Sequence, residues 1–264
     1  MFRNRKHIII SLSLLSFGLF SCNQQEDQNS TSTSKPNFVN DINKAHNFDD
    51  FKNAGVLQAD IKLSFHGKTR LEAQMLFDTK TQETALYHKD GRQLIFTNDT
   101  VWMSPDTVSY PGARFDIFTW SYFATLPFKL NDDGTHFNKF ENKKLNGQQF
   151  DVEKLSFGKN VGDAPDDWYV LYKDKENNLL HAAAYIVTLN KSVEESEKDP
   201  HAIVYNNYKS VDGIQIAQNW MFYGWDKKNG LTDTLGKATL SNIKFTPRTP
   251  ESFKISGDKV EVTL

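Results

Sequence analysis

Apolar and polar positions alternate along much of the chain after residue 56. Apolar residues occupy every second position from Leu57 to Phe65, and the alternation resumes at Leu71 after a His66-Gly67-Lys68 turn. A period of two is typical of strands that bury one face, so this segment predicts an antiparallel hairpin with one apolar face. Shorter segments of the same character, separated by Gly, Asp and Asn turns, predict further strands over residues 83–88, 92–97, 100–104, 150–157, 168–172, 179–189, 201–211, 214–225 and 236–245.

Two other segments are predicted to be helical. Residues 38–54 repeat their apolar side chains near a period of 3.6 and end before Gly55, a common helix stop. Residues 113–130 are the most apolar run after the N-terminal region, and they predict a helix over 115–125 that ends at Leu126-Pro127. Such a helix would be apolar on more than one face, so we expect the sheet to cover it. Together the patterns predict an antiparallel sheet of about ten strands with two helical segments on its apolar face.

Composition and charge indicate a globular protein and give no sign of a nucleic-acid-binding one. The chain has 264 residues, of which 24% are charged and 38% are hydrophobic, and its formal net charge at neutral pH is -2. These values are typical of a globular protein, and all-β chains of this length commonly form one domain. Lys and Arg are not clustered into a basic block, so the sequence predicts no nucleic acid partner.

The N-terminal residues have the pattern of a lipoprotein leader. Three basic residues precede an apolar stretch over residues 8–20, which is shorter than the roughly 20 residues needed to span a bilayer. The stretch ends at Leu19-Phe20-Ser21-Cys22, which resembles the bacterial lipobox, and Cys22 is the only cysteine. We therefore expect a signal peptide over 1–21, a lipidated Cys22 with a polar tether over 22–36, and one domain over 37–264. The alternative is a structural thiol in an uncleaved helix.

Lipid on Cys22 would make the membrane a partner of this protein, because each buried methylene contributes about 0.8 kcal/mol. Gln24-Gln25-Glu26-Asp27 resembles the acidic export signal of surface lipoproteins in the Bacteroidota, and a soluble linker explains it equally well. We expect a lipid-anchored protein of the cell envelope, at the outer membrane. The periplasmic and surface leaflets both remain open.

Short motifs in the folded part resemble the LolA/LppX-like class of bacterial envelope proteins. They are Phe65-His66-Gly67, the Asp90-Gly91 turn followed by Val101-Trp102, and Val211-Asp212-Gly213-Ile214 before Trp220. The resemblance implies a mainly β (α+β) fold. In that fold a strongly curved antiparallel sheet forms an incomplete half-barrel, and about two helical segments cover its concave apolar face.

The chain also resembles a Bacteroidota family of lipoproteins of about this size that has no assigned activity. The likeness covers most of residues 40–245 and rests on Lys44-Ala45-His46, Leu126-Pro127-Phe128-Lys129-Leu130, and Gly162-Asp163 to Asp167-Trp168-Tyr169. It implies a glycine after His46, where this sequence has Asn47. The resemblance therefore implies a fold and a location in the envelope rather than a reaction.

Common catalytic signatures are missing from the sequence. There is no G-x-S-x-G elbow, Walker loop, H-E-x-x-H pair or dinucleotide fingerprint, and the histidines show no spacing suited to a metal. We therefore predict a non-enzymatic protein with no catalytic residue, metal or cofactor. A loop with Asp163, Asp166 and Asp167 could hold calcium, or serve a hydrolase together with a nearby histidine, but these residues are also ordinary turn formers.

Aromatic residues are frequent, with 20 Phe, 9 Tyr and 5 Trp. An open barrel with an apolar concave face must be filled by helices, by a ligand with acyl character or by another protein. Our leading hypothesis is a hydrophobic cleft that binds a lipid, an acylated protein or another apolar envelope ligand. The residues predicted to form this cleft are Phe65, Met75, Trp102, Phe115, Phe118, Trp120, Phe123, Leu126, Phe128 and Trp220.

The alternative hypothesis is an interaction module that docks a protein or a glycan on its sheet face or on an edge strand. Exposure of Trp102, Trp220 or Trp225 beside polar residues would favour this alternative, because exposed aromatic side chains are frequent at interfaces.

Overall fold

The computed structural model describes residues 35–159 and 161–263, and strands account for most of its regular structure. The predictions for Cys22 and for residues 1–34 lie outside the described residues. The helices are α1 Asn37–His46, α2 Phe48–Phe51, α3 Ala113–Lys129 and α4 Val193–Ser196. The strands are β1 Val56–Phe65, β2 Lys68–Asp78, β3 Thr84–His88, β4 Gln93–Thr97, β5 Thr100–Ser104, β6 Thr135–Lys139, β7 Lys144–Leu145, β8 Gln148–Gln149, β9 Asp151–Phe157, β10 Trp168–Lys173, β11 Leu180–Tyr185, β12 His201–Val211, β13 Ile214–Asp226, β14 Gly230–Thr246 and β15 Val260–Glu261.

Thirteen of these strands form one antiparallel sheet in the order β15-β5-β4-β3-β2-β1-β14-β13-β12-β11-β10-β9-β6. The pairing of β1 with β14 joins the two halves of the sheet, with Val56 opposite Thr246 and Phe65 opposite Gly236. In the described part of the chain, β15 and β6 are the two edges, so the sheet is not closed into a barrel. The predicted mainly β, open antiparallel architecture is confirmed, and β7 with β8 forms a separate small hairpin.

Helices α1 and α3 pack on one face of the sheet, together with the main hydrophobic core. Leu57, Ala59, Ile61 and Leu63 of β1 are all buried in this core, as their period of two predicts. Side chains from β2–β4 and from β9–β11 line one cavity beside α3, although four strands separate these two groups in the sheet. The sheet must therefore curve around α3, which lies on its concave face.

The convex face is buried in two places that strand alternation does not predict. In one half of the sheet, Leu145 of β7 packs with Phe150 and Trp225. In the other half, Phe253 packs on Val56 and Ile95. The segment that carries Phe253 continues to β15, which pairs with β5 at the edge of the sheet. Both faces of the sheet are therefore partly covered.

Helix α3 continues through Pro127 and ends at Lys129, so the prediction that it ends at Leu126-Pro127 is wrong. Proline has no N–H and cannot donate to the carbonyl four residues earlier, which here belongs to Phe123. The buried Tyr205 hydroxyl of β12 donates to that carbonyl at 2.9 Å. A tertiary hydrogen bond thus replaces the missing helical one, and the last turn of the helix is retained.

The helix predicted over 38–54 is divided into α1 and α2 at Asn47, whose φ is +60°. Glycine and asparagine adopt this left-handed conformation most readily, which accounts for Asn47 at the position where the resemblance implied glycine. The neighbouring His46 is fully buried. Its Nδ1 donates to the Gln215 carbonyl, and its Nε2 accepts from the Leu180 backbone N–H, each at 3.1 Å. These bonds join α1 to β13 and β11.

No helix within residues 35–159 and 161–263 is both long and apolar enough to cross a membrane.

Candidate functional site

A cavity of about 550 Å³ lies between α3 and the concave face of the sheet. Its walls come from β2–β4 on one side, from β9–β11 on the other, and from successive turns of α3. Side chains of α3 contact both halves of the sheet, Phe118 on Phe96 and Tyr122 on Tyr169, and the cavity lies beside these contacts. Cavities of about 300–1,000 Å³ are typical binding sites for small molecules.

Aromatic side chains form a large part of the cavity wall. Phe118 packs edge to face on Phe96 with their ring centroids 4.9 Å apart, and Phe123 packs on Tyr185 at 5.0 Å. Such contacts fix the ring orientations, so the wall is formed before any ligand binds. The apolar and aromatic wall residues are Phe77, Phe96, Phe115, Phe118, Tyr122, Phe123, Phe157, Val161, Ala164, Tyr169, Tyr185, Val187 and Leu189.

Three tyrosines of the wall, Tyr122, Tyr169 and Tyr185, keep neutral hydroxyls. Burial raises the pKa of each of them above the ordinary value, because a phenolate would lose its hydration there. The Tyr122 hydroxyl has no hydrogen-bond partner among the described residues. These side chains present apolar ring faces to the cavity and no charge.

Lys129 lines the cavity at the C-terminal end of α3. Its ammonium hydrogen-bonds to Gln82, lies 3.2 Å from an Asp132 carboxylate oxygen and lies 5.2 Å from the centre of the Phe77 ring. Burial lowers the pKa of Lys129, and the negative charge of Asp132 opposes that shift. This cation is therefore held by local partners.

Arg114 lines the cavity from the first turn of α3. Its guanidinium forms a two-pronged pair with Asp163, in which Nη2 donates to Oδ1 at 2.8 Å. Its Nη1 also donates to the Val262 carbonyl at 3.2 Å. Arg114 thus links α3 to the loop between β9 and β10 and to the C-terminal segment.

The acidic loop predicted from the sequence lies beside the cavity, and its carboxylates have separate roles. Asp163 pairs with Arg114, whereas Asp167 accepts hydrogen bonds from the backbone N–H and the hydroxyl of Thr188, both at 2.7 Å. Burial raises the pKa of Asp167, and Asp166 is exposed. In the described part of the chain, no three His, Cys, Asp or Glu side chains are grouped so that they could hold a metal ion.

Three of the ten predicted cleft residues line the cavity, namely Phe115, Phe118 and Phe123. Five others are buried in the main core: Met75, Trp120, Leu126, Phe128 and Trp220. Phe65 packs at the margin of that core. Trp102 lies opposite Ile95 on the convex face, where the Lys259 ammonium is 4.1 Å from its ring centre.

The sequence did not identify most of the wall residues contributed by the strands. Phe77, Phe96, Tyr169 and Tyr185 occupy inward positions of β2, β4, β10 and β11. Alternation shows that these positions face inward, but it does not distinguish a side chain beside a void from one in a filled core. The void depends on the distance between two halves of the sheet that are far apart in sequence.

The tryptophans do not form an exposed platform. Trp220 and Trp225 are 1% and 5% exposed, and Trp102 is half-buried. The observation that would have favoured the docking alternative is therefore absent at Trp220 and Trp225.

Comparison with known proteins bears on the fold. No family model and no curated protein matches this sequence. Among solved structures, the chain is similar to a LolA superfamily protein from Nitrosomonas europaea, with a TM-score of 0.52 and 11% identity over 82% of this chain and 97% of that one. A domain from Vibrio parahaemolyticus named for outer membrane lipoprotein sorting has a TM-score of 0.46 and 11% identity, over 80% of this chain and 95% of that one. Lipoprotein LppX from Mycobacterium tuberculosis has a TM-score of 0.28 and 9% identity, over 80% of this chain and 96% of that one.

The first of these similarities has a TM-score above 0.5, and at 11% identity it shows the fold. The fold of this chain is a LolA-like open antiparallel sheet with few helices, as the sequence predicted.

Proposed function

We propose that the protein binds a lipid, an acylated protein or another ligand with acyl character in the cavity beside α3, and that it does so without catalysing a reaction. The observation that carries this proposal is the aromatic-walled cavity of about 550 Å³. The fold also supports it, because the similar structure from Nitrosomonas europaea is a LolA superfamily protein, and the sequence itself resembles the LolA/LppX-like class of envelope proteins.

Burial of apolar ligand surface would drive binding, at roughly 25 cal/mol per Å². The ring contacts of Phe118 with Phe96 and of Phe123 with Tyr185 mean that little ordering of the protein is needed when a ligand enters. Charged side chains line the cavity at both ends of α3, Arg114 at the start and Lys129 at the end. The polar part of the ligand would lie at one of these ends.

Membrane attachment belongs to the same proposal. Residues 1–21 would direct export, lipid on Cys22 would anchor the protein in the cell envelope at the outer membrane, and the polar residues up to 36 would connect this anchor to the domain over 37–264. The sequence supports this arrangement through its apolar stretch over 8–20 and its single cysteine.

Native mass spectrometry tests the proposal directly. A Cys22→Ser variant, which has no thiol for lipid attachment, is purified without detergent, weighed under native conditions and extracted with solvent. We expect an acyl-bearing molecule at close to one per chain. A protein that is always empty and that takes up no neutral fluorescent apolar probe would refute the proposal.

A substitution inside the cavity separates specific binding from adsorption. Thr119 lines the cavity on α3, so Thr119→Trp should fill part of the space and weaken probe binding by about tenfold or more. The matched control is Thr239→Trp, because Thr239 is exposed on β14 and its neighbours Ala238 and Leu240 point into the main core. Equal loss of binding in both variants would contradict a site at the cavity.

A further inference from the structure

The charged side chains of the cavity wall are unequally divided between the two signs. Five carboxylates and two cations line the cavity, so the wall has a net formal charge of -3. The carboxylates are Asp99, Asp132, Asp133, Asp163 and Asp167, and the cations are Arg114 and Lys129. The rest of the wall is uncharged and mostly apolar.

Both cations are already paired within the protein. The Arg114 guanidinium donates to both oxygens of Asp163 and to the Val262 carbonyl. The Lys129 ammonium is shared by Asp132 and Gln82. An anionic group would have to displace one of these partners before it could pair with either of these two cations. A third cation, Lys35, lies outside the wall and donates to the hydroxyl of the wall residue Thr135 at 2.6 Å.

Three carboxylates have no cation as a partner. Within residues 35–159 and 161–263, Asp99 and Asp133 form no ion pair, and both are exposed at the edge of the cavity. Asp167 is bonded only by the neutral donors of Thr188. These groups set a negative potential where the polar end of a bound molecule would lie.

We propose that this cavity selects apolar ligands whose polar end carries no negative charge, which deepens the proposed function and rests on it. A fatty acid carboxylate or a phosphodiester would lose hydration there and meet uncompensated carboxylates of its own sign. An uncharged acyl-glyceryl end avoids this repulsion, and an ammonium is attracted. Acylglycerols and the acylated ends of lipoproteins therefore fit the cavity better than free fatty acids or anionic phospholipids.

A pair of ligands with the same alkyl chain and opposite charge tests this inference. Decylammonium and decanoate are compared at pH 7 and low salt by their displacement of the neutral fluorescent probe N-phenyl-1-naphthylamine from the Cys22→Ser protein. We expect decylammonium to bind at least about tenfold more tightly, a difference of about 1.4 kcal/mol. Because mobile ions screen exposed charges, this ratio should shrink at 0.5 M salt.

Removal of two carboxylates tests whether the preference for decylammonium over decanoate arises from the cavity wall. The double variant Asp99→Asn with Asp133→Asn should bring the two affinities to within about threefold of each other. Asp99 has φ of +57°, a conformation that asparagine also adopts, so the β4–β5 turn should be retained, and circular dichroism checks this. Asp106→Asn is the matched control, because Asp106 is exposed and lies outside the cavity wall.

The outcomes separate this inference from the proposed function. Decanoate binding as tight as that of decylammonium, or a ratio that the double variant does not change, would overturn the selectivity while leaving an acyl site in place. Failure of the neutral probe and of both ligands to bind would overturn the proposed function and, with it, the selectivity.

Discussion

His46 should make the stability of this protein depend on pH in a defined window. The side chain is fully buried, and its two hydrogen bonds require the neutral imidazole, because Nε2 accepts from the Leu180 N–H while Nδ1 donates to the Gln215 carbonyl. Burial lowers the pKa of His46 from 6.5 to about 4, since an imidazolium would lose its hydration there. Protonation would therefore separate α1 from β11 and β13.

The sign and size of the effect follow from the two pKa values. Between pH 6.5 and about 4, the unfolded chain binds a proton at His46 that the folded chain does not bind, so the free energy of unfolding rises with pH. The contribution of His46 is fully present above pH 6.5 and is lost as the pH falls to about 4. Its total size is about 3 kcal/mol, and about 2 kcal/mol of it should be lost between pH 7 and pH 5.

Urea unfolding at pH 7 and at pH 5 measures this loss. Burial also lowers the pKa values of His88, His181 and His201, so the wild-type loss alone includes their contributions. A His46→Gln variant should be less stable than the wild type at both pH values. Its free energy of unfolding should fall between pH 7 and pH 5 by about 2 kcal/mol less than that of the wild type. Equal losses in the two proteins, or a nuclear magnetic resonance titration of the His46 ring with its midpoint near 6.5, would refute this reasoning.

Two further predictions concern contacts that bring distant segments together. Tyr205→Phe removes the hydroxyl that donates to the Phe123 carbonyl, and because this carbonyl is buried beside Pro127 we expect a loss of about 1–3 kcal/mol in the free energy of unfolding, measured by urea titration. Phe253→Ala uncovers the convex face of the sheet at Val56 and Ile95, and we expect a loss of about 3 kcal/mol in the same measurement.

Matched variants control these two predictions. Tyr223→Phe removes a hydroxyl that makes no hydrogen bond to the described residues, and Val260→Ala changes an exposed side chain in the same C-terminal segment as Phe253. Each control should change stability by less than about 0.5 kcal/mol. A Tyr205→Phe or Phe253→Ala variant as stable as its control would contradict the role assigned to that contact.

The local pattern of apolar and polar residues was sufficient to predict the strands and the helix that bury one face against the main core. The alternation from Leu57 to Phe65 matches β1, and the turn at His66-Gly67 leads into β2 as the predicted antiparallel hairpin, in which Ile61 pairs with Ala73. The apolar run after residue 113 contains α3. Each of these signals is carried by residues two to four positions apart, so one segment of the sequence contains all of it.

The edge strands of the sheet and the residues that cover its convex face were not predicted, because they depend on contacts between segments that are distant in the sequence. β6 and β15 have mixed polar sequences, and their pairing with β9 and β5 provides the hydrogen bonds that define them. Phe253 looks like an isolated aromatic residue in a polar tail, and its burial depends on a pocket formed by three other strands and β1. Neither feature has a periodic signal of its own.

The candidate site likewise has features that the sequence pattern predicts and features that depend on the tertiary structure. The sequence determined that α3 is an aromatic helix and that β2, β4, β10 and β11 each present an apolar face, because side-chain direction follows from backbone periodicity. Only the tertiary structure decided that Phe118 and Phe123 border a void while Trp120 and Phe128 are packed in the core. That difference depends on the curvature of a sheet whose halves are joined by β1 and β14, and on Tyr205, which stabilises the last turn of α3 from a distant strand. Volume between surfaces is a property of their separation in space, which the order of residues along one segment does not encode.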